Sequence, residues 1–292
     1  KASFPNAHPL CLGLMGYHGR VEANTAVSQA DVILAVGTRF GDRSTGPLGS
    51  FAPQAKIIHV DVDPAEISKN VPAYLPIVGE AAHVLGALCE QVGGAEHGSW
   101  IAELRQTAAA HPLRGKMSGV TIPNVLRLLH EVITDPIVVT DVGRHQIFTA
   151  HYFPVQSPRS FLTAGGLGPM GFGLPAAIGA KVGNPARSVA AVCGDGSFLM
   201  TCQEVAAAVA EEIPVVALVM NDYCLGMIKQ LQDSFYGKRH RSCEFGRNVD
   251  YARLAQSMGA EGIRVQSEAE ITPAIERALA AGRPAVIDFI LE

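Results

Sequence analysis

The sequence predicts an α/β protein built from two doubly wound parallel-sheet domains. Short, near-continuously apolar runs recur along the 292 residues, and helix-like segments separate them. Runs of that kind suit strands covered on both faces, and their alternation with helices suits a parallel sheet. Composition agrees: 48% hydrophobic and 17% charged residues describe a large buried core. The length leaves room for about two domains.

Taken in order, residues 1–92 carry two strands, Val32–Gly37 (VILAVG) and Lys56–Asp63 (KIIHVDVD). Helical spacing precedes the first, over Glu22–Ala30, and follows the second, over Ala81–Val92. Residues 93–120 contain GGAEHGS and HPLRGKMSG and read as a linker with one short helix around Trp100–Ala110. A second α/β domain spans 121–292, with strands at Pro136–Thr140, Ser188–Cys193, Pro214–Met220 and Pro284–Ile290. No internal repeat and no low-complexity tract is visible.

Several classes of function are disfavoured. A net charge of −4 without any cluster of Lys or Arg offers no footprint for nucleic acid. No apolar run reaches the roughly 18 residues that span a bilayer, and the start has no secretory pattern. The six cysteines lack CxxC or zinc-like spacing, and most fall in apolar segments. Reduced, buried thiols in a cytoplasmic protein are expected. The chain begins with Lys1 and is expected to be a piece of something longer.

The chemistry concentrates in Gly194–Met227, GDGSFLMTCQEVAAAVAEEIPVVALVMNDYCLGM. Asp195 follows one predicted strand and Asp222 the next, so both carboxylates fall at the carboxyl edge of an open sheet, where ligands bind. Glycines beside Asp195 let backbone N–H groups approach an anion, and a helix beginning there turns its positive end toward it. Thr201 and Glu204 have capping-box spacing for that helix. Hard oxygen ligands beside a phosphate cradle suit Mg²⁺ bridging to a diphosphate.

A GDG alone is an ordinary turn. Here it is followed by twenty-four residues and then Asn221-Asp222, with strand, helix and strand between. That combination resembles the thiamine diphosphate-binding motif. Further strings narrow the likeness: TDVGRHQ (Thr140–Gln146), FLTAGGLGPMGFGLPAAIGAKV (Phe161–Val182), CLGMIKQLQDSFYGKRH (Cys224–His240), LGLMGYHGRVEANTAV (Leu12–Val27), VGTRFGDRSTG (Val36–Gly46), HVDVDPAEISKN (His59–Asn70) and PIVGEA (Pro76–Ala81). Together they resemble the large catalytic subunits of acetolactate synthases. The resemblance implies a partial Rossmann-like central domain followed by the thiamine diphosphate-binding fold. It also implies that a pyrimidine-binding domain, the start of the central domain and a C-terminal tail lie outside this sequence. The family's catalytic Glu belongs to that pyrimidine-binding domain.

Residue by residue, the resemblance gives Mg²⁺ to Asp195, Asp222 and the backbone carbonyl of Cys224. Many relatives have Asn where Asp222 stands. Gly194, Gly196 and Ser197 would meet the diphosphate, and Gly226 and Met227 would line the thiazolium side. Met170 matches the apolar wedge that bends the cofactor, bringing its 4′-imino nitrogen beside the carbon it deprotonates. Gly168 fits the carbonyl that orients the 4′-amino group. Val142, Gly143 and His145 resemble the loop at the far end of the cofactor, with Arg144 where Gln is usual. Leu231 stands where acetolactate synthases usually carry Trp, a position that shapes the acceptor pocket.

Gly16, Tyr17, His18, Gly37, Thr38, Arg39, Arg43, Asp61, Val62, Glu80 and Ala81 fall on flavin (FAD) contact positions of the family. Physically, glycines after a strand admit a pyrophosphate, Arg adds charge and a strand-end acid suits a ribose. The implied activity is decarboxylation of pyruvate and transfer of the two-carbon unit to a second 2-oxo acid. The implied partners are a pyrimidine-binding domain of the same or another chain, a homo-oligomer and a regulatory small subunit. Alternatives are a sulfoacetaldehyde acetyltransferase, a pyruvate oxidase, another 2-oxo acid decarboxylase, or a non-catalytic cofactor-binding fragment.

Overall fold

The computed structural model describes residues 3–94 and 96–292. The chain forms two compact units. The larger is Arg114–Glu292 together with the N-terminal segment ending at Cys11, and the smaller is Leu12–Leu113. Asn6 ties the N-terminal segment to the larger unit: its N–H donates to the Val155 carbonyl at 3.1 Å, and its Oδ1 accepts from Val155 N–H at 2.9 Å.

In the smaller unit, helix α1 (Val21–Gln29) leads into strand β1 (Val32–Val36), followed by the one-turn α2 (Asp42–Thr45). Strands β2 (Lys56–Asp61) and β3 (Leu75–Val78) precede α3 (Ala81–Gln91) and α4 (Gly98–Ala110). The three strands form a parallel sheet in the order β1-β2-β3. Its core is small, formed by Ala35, Phe40, Ile57 and Val71. The short β3, half exposed and holding Pro76, has too weak an apolar pattern to be read as a strand from sequence.

The larger unit opens with α5 (Ile122–Val132), capped by Thr121 Oγ1 accepting from Asn124 N–H and carrying Pro123 in its first turn. Then follow β4 (Ile137–Thr140), α6 (Arg144–Tyr152), β5 (Phe161–Thr163), α7 (Gly173–Gly183) and β6 (Val189–Gly194). Next come α8 (Asp195–Leu199), α9 (Glu204–Ala210), β7 (Val216–Asn221) and α10 (Gly226–Phe235). The unit ends with α11 (Tyr251–Ser257), β8 (Glu261–Val265), α12 (Ile271–Ala280) and β9 (Ala285–Ile290).

All six strands of this sheet are parallel, in the order β5-β4-β6-β7-β9-β8. Residues alternate between two cores: in β6, Ala190 and Val192 face one, while Val189, Ala191 and Cys193 face the other. Helices α5 and α12 cover the first face, through Leu126, Leu129, Ile271 and Ile275. Helices α7, α9 and α11 cover the second, through Leu174, Val205, Ala208 and Tyr251. Burial on both faces explains the near-continuous apolar strands. After β4 the chain adds β5 on one side, then crosses to place β6 on the other. The crevice between β4 and β6 is therefore the topological switch point of the sheet.

One helix was expected between β6 and β7, and the structure has two short ones. Across Met200–Gln203 the backbone bonds tighten to a three-residue spacing, Met200 N–H to Ser197 O and Thr201 N–H to Phe198 O. Thr201 does not cap: its Oγ1 donates to the Gly171 carbonyl at 3.2 Å, and α9 starts without a side-chain cap. The six cysteines are all free; Cys193, Cys224 and Cys243 are buried as expected, whereas Cys89 is exposed on α3. No helix among the described residues is long and apolar enough to cross a membrane.

Candidate functional site

A cavity of 230 Å³ opens at the carboxyl edge of the larger sheet, at the switch point. The loop after β4 contributes Val142, Gly143, Arg144 and His145. Gly168 and Met170 come from the loop between β5 and α7, and Gly194, Asp195, Gly196 and Ser197 from the end of β6. Asp222, Cys224, Gly226 and Met227 follow β7. All of the cofactor and metal candidates predicted in this unit thus line one space. The acceptor-pocket candidate, Leu231, does not. It lies on α10 one turn beyond Met227, 37% exposed and outside the cavity lining.

The carboxylates are unequal. Asp195 is 2% exposed; its Oδ1 accepts from Gly196 N–H at 2.7 Å and its Oδ2 has no hydrogen-bond partner. Burial, then the nearby charge of Asp222, pushes its carboxyl up to about 7, partly offset by backbone N–H groups led by Gly196. The Gly196 N–H expected to face a diphosphate is therefore engaged by Asp195. Asp222 is more open, with its Oδ1 accepting from Cys224 N–H at 3.3 Å. The Cys224 thiol is pushed up to about 12, first by burial and then by Asp222. It stays a neutral thiol beside the two carboxylates.

No cluster of three His, Cys, Asp or Glu side chains suited to a metal occurs among the described residues. Two carboxylates and a backbone carbonyl would leave a Mg²⁺ ion short of ligands, to be completed by phosphate oxygens and waters. The buried, unpartnered oxygen of Asp195 is the atom that such an ion would satisfy.

His145 sits in the first turn of α6, 4% exposed, with Nε2 unpartnered. Burial lowers its pKa to about 3, against a hydrogen bond to the Asp141 backbone that raises it. The imidazole is neutral at any physiological pH.

Asp141 is the residue that sequence reasoning missed. It is fully buried at the end of β4 and accepts three backbone N–H groups: Val142 at 2.7 Å, Gly171 at 3.0 Å and Gly173 at 2.7 Å. Its carboxylate thereby staples the Met170 loop to the sheet edge. Its charge also raises the Cys193 thiol, second to burial. The only sequence signal was an acid directly after an apolar strand and two residues before a glycine.

In the smaller unit, the flavin candidates also gather at a carboxyl edge. Gly37, Thr38 and Arg39 follow β1, Asp61 and Val62 end β2, and Glu80 and Ala81 begin α3 after β3. Tyr17, between Gly16 and His18, donates its N–H to the Arg43 carbonyl at 2.8 Å, which joins the remaining candidates. Gly37, at φ +61°, turns the chain off β1 with open space where a side chain would stand, as a pyrophosphate needs. A second cavity, of 200 Å³, includes Gly16 and Tyr17 and none of the other candidates.

Comparison with known proteins decides the family. Residues 141–289 match the model of the thiamine pyrophosphate enzyme C-terminal TPP binding domain, and residues 1–88 match that of the thiamine pyrophosphate enzyme central domain. The chain belongs to the thiamine pyrophosphate enzymes. It is 41% identical to the probable acetolactate synthase large subunit of Methanocaldococcus jannaschii over 304 aligned positions, covering 100% of this chain and 51% of that protein. Against the acetolactate synthase of Mycobacterium bovis it is also 41% identical, covering 100% of this chain and 50% of the relative. Against the acetolactate synthase large subunit of Haemophilus influenzae it is 40% identical, covering 94% and 50%. The chain thus spans about half the length of the relatives it matches. The thiamine pyrophosphate enzyme C-terminal match begins at Asp141, the carboxylate that anchors the Met170 loop.

Proposed function

We propose that the chain provides the diphosphate- and metal-binding part of a carboligase of the acetolactate synthase type. Its substrates would be pyruvate and a second 2-oxo acid, pyruvate or 2-oxobutyrate. Acetolactate or acetohydroxybutyrate would form and feed branched-chain amino-acid synthesis in the cytoplasm. One observation carries the reading: the buried, unpartnered Asp195 Oδ2 shares a cavity with Asp222 and Met170.

Bound thiamine diphosphate would supply the electron sink that decarboxylation requires. The rest falls to the protein. Asp195 and Asp222, with the Cys224 carbonyl, would hold Mg²⁺, and the ion would offset the burial and repulsion that raise the Asp195 carboxyl. Met170 would wedge the cofactor, on a loop that Asp141 holds at two backbone N–H groups. Val142, Gly143 and His145 would close the far end, with the imidazole kept uncharged by burial. Met227 and Gly226 would wall the thiazolium side, and Leu231, farther along α10, would face the acceptor.

A pyrimidine-binding domain, on the same or another chain of a homo-oligomer, would add the carboxylic acid that protonates the pyrimidine ring. A regulatory small subunit would act on that assembly. The edge of the smaller sheet would carry FAD as a structural group.

Equilibrium dialysis of the 292-residue chain against thiamine diphosphate, with and without Mg²⁺, tests the central claim. Retention that appears with Mg²⁺ and is lost to a chelator is expected. Absence of retention, or retention indifferent to Mg²⁺, overturns it.

A further inference from the structure

The cavity holds a cation of its own. Arg144, the first residue of α6, places Nη1 3.4 Å from Asp222 Oδ2, and both residues line the cavity. The seat for this pair is shaped. A Cβ on Gly226 would stand 2.6 Å from Asp222 Oδ2 and 2.9 Å from Arg144 Cδ, so any other residue there would displace one or both side chains from this pairing. Asp222 Oδ1 is turned the other way, onto Cys224 N–H. The oxygen that Arg144 covers is therefore one that a divalent ion would need.

We propose that Arg144 acts as a resident counter-cation that competes with the divalent ion for Asp222 and binds the diphosphate once that ion is in place. The proposal rests on reading the cavity as a diphosphate site. Without a ligand, Asp195 and Asp222 place two carboxylates in one cavity, and Arg144 neutralises the more exposed of the two. When a divalent ion takes Asp222, the guanidinium loses its partner but keeps its place on the cavity wall. Its planar set of N–H donors suits phosphate oxygens, which it can meet in pairs. The side chain is 37% exposed, so turning from one partner to the other requires no repacking of the core.

Competition and recruitment have opposite signs, and that separates this role from a structural one. Arg144→Gln should raise Mn²⁺ occupancy of the chain, measured without any phosphate, by about threefold in affinity, the scale of a partly exposed ion pair. The same variant, at saturating Mg²⁺, should bind inorganic pyrophosphate and thiamine diphosphate about threefold to tenfold more weakly. Arg144→Lys, which keeps the charge but not the planar donors, should restore the Mn²⁺ behaviour and only part of the phosphate affinity. Equal Mn²⁺ occupancy in wild type and Arg144→Gln, or unchanged phosphate affinity, overturns the proposal. Binding of pyrophosphate without thiamine diphosphate would sink the cofactor reading while leaving Arg144 measurable. If the wild type binds neither, both fall.

Discussion

The two parallel sheets end alike and differ in what they bury. At the edge of the smaller sheet, Asp61 Oδ1 accepts from Asp63 N–H at 2.9 Å, and Val62 and Tyr17 are 67% and 63% exposed. At the edge of the larger sheet, Asp141, His145 and Asp195 are at least nine-tenths buried, and two of them have polar atoms without partners. A carboxyl edge with glycine turns is a property of the fold, and both units have one. Buried polar atoms without partners are costly and occur in both units, on Glu22, His59 and Glu66 in the smaller. The larger edge differs in that two of them, on His145 and Asp195, line one cavity, and that convergence marks the edge that another group completes. Substitutions can test that contrast.

The largest effect should come from Asp195. Asp195→Ala should weaken Mg²⁺-dependent retention of thiamine diphosphate by at least about 100-fold, because a ligand is lost rather than a neighbour of one. The same change should stabilise the cofactor-free chain by about 1–3 kcal/mol, the cost of a buried unsatisfied group. Asp61→Ala should alter stability by no more than about 0.5 kcal/mol. Chemical denaturation and dialysis on both variants give the comparison. A cofactor-free Asp195→Ala chain less stable than wild type would refute the reading that the unpaired Asp195 oxygen destabilises the empty site.

Asp141→Ala removes the acceptor of three backbone N–H groups at once. We expect a loss of about 3–5 kcal/mol, from donors left unpaired in the core. Protection of the Gly171 and Gly173 amides from hydrogen exchange should fall with it. If those amides stay protected, the Met170 loop is held by something other than this carboxylate.

How much of this could be read beforehand follows from where each signal lies. Strands β1, β2, β4, β6, β7 and β9 are apolar runs bounded by Gly, Pro or Asp, and they were legible because both faces of a parallel sheet are covered. Strand β8 was not, since EGIRV mixes charge with apolar residues. Glu261 is half of a pairing with Arg277 and Arg283 that appears only in three dimensions. Asp195 and Asp222 were legible because strand-end acids beside glycines announce themselves locally. The role of Asp141 was not, because its partners Gly171 and Gly173 lie 30 and 32 residues away. The Arg144–Asp222 pair was likewise hidden: each residue was noticed alone, and only the fold brings them to 3.4 Å.

His145 offers a pH test of the same contrast. Its pKa in the folded chain is about 3 against an ordinary 6.5. The unfolded chain thus binds the extra proton first, and stability that is complete above pH of about 6.5 is lost as pH falls toward about 3. Other carboxylates titrate in that range, so the informative quantity is a difference between variants. His145→Gln should flatten the acid-side slope of unfolding free energy by an amount worth about 1–3 kcal/mol over the window. A slope identical to wild type would mean that the imidazole is not held neutral in the folded state.

The smallest effect should fall on the open edge. If FAD lies along the smaller sheet, Arg43 contributes charge from a one-turn helix, where solvent screens its attraction for a pyrophosphate. Arg43→Ala should therefore weaken flavin binding by only about threefold to fivefold, whereas Asp195→Ala should leave flavin binding unchanged. The two units would then lose their ligands independently, each through its own edge. Flavin absorbance retained after dialysis, measured on both variants and the wild type, reads this directly. A large flavin loss in Asp195→Ala would break the comparison, because it would require the larger unit's site to govern a ligand held at the other edge.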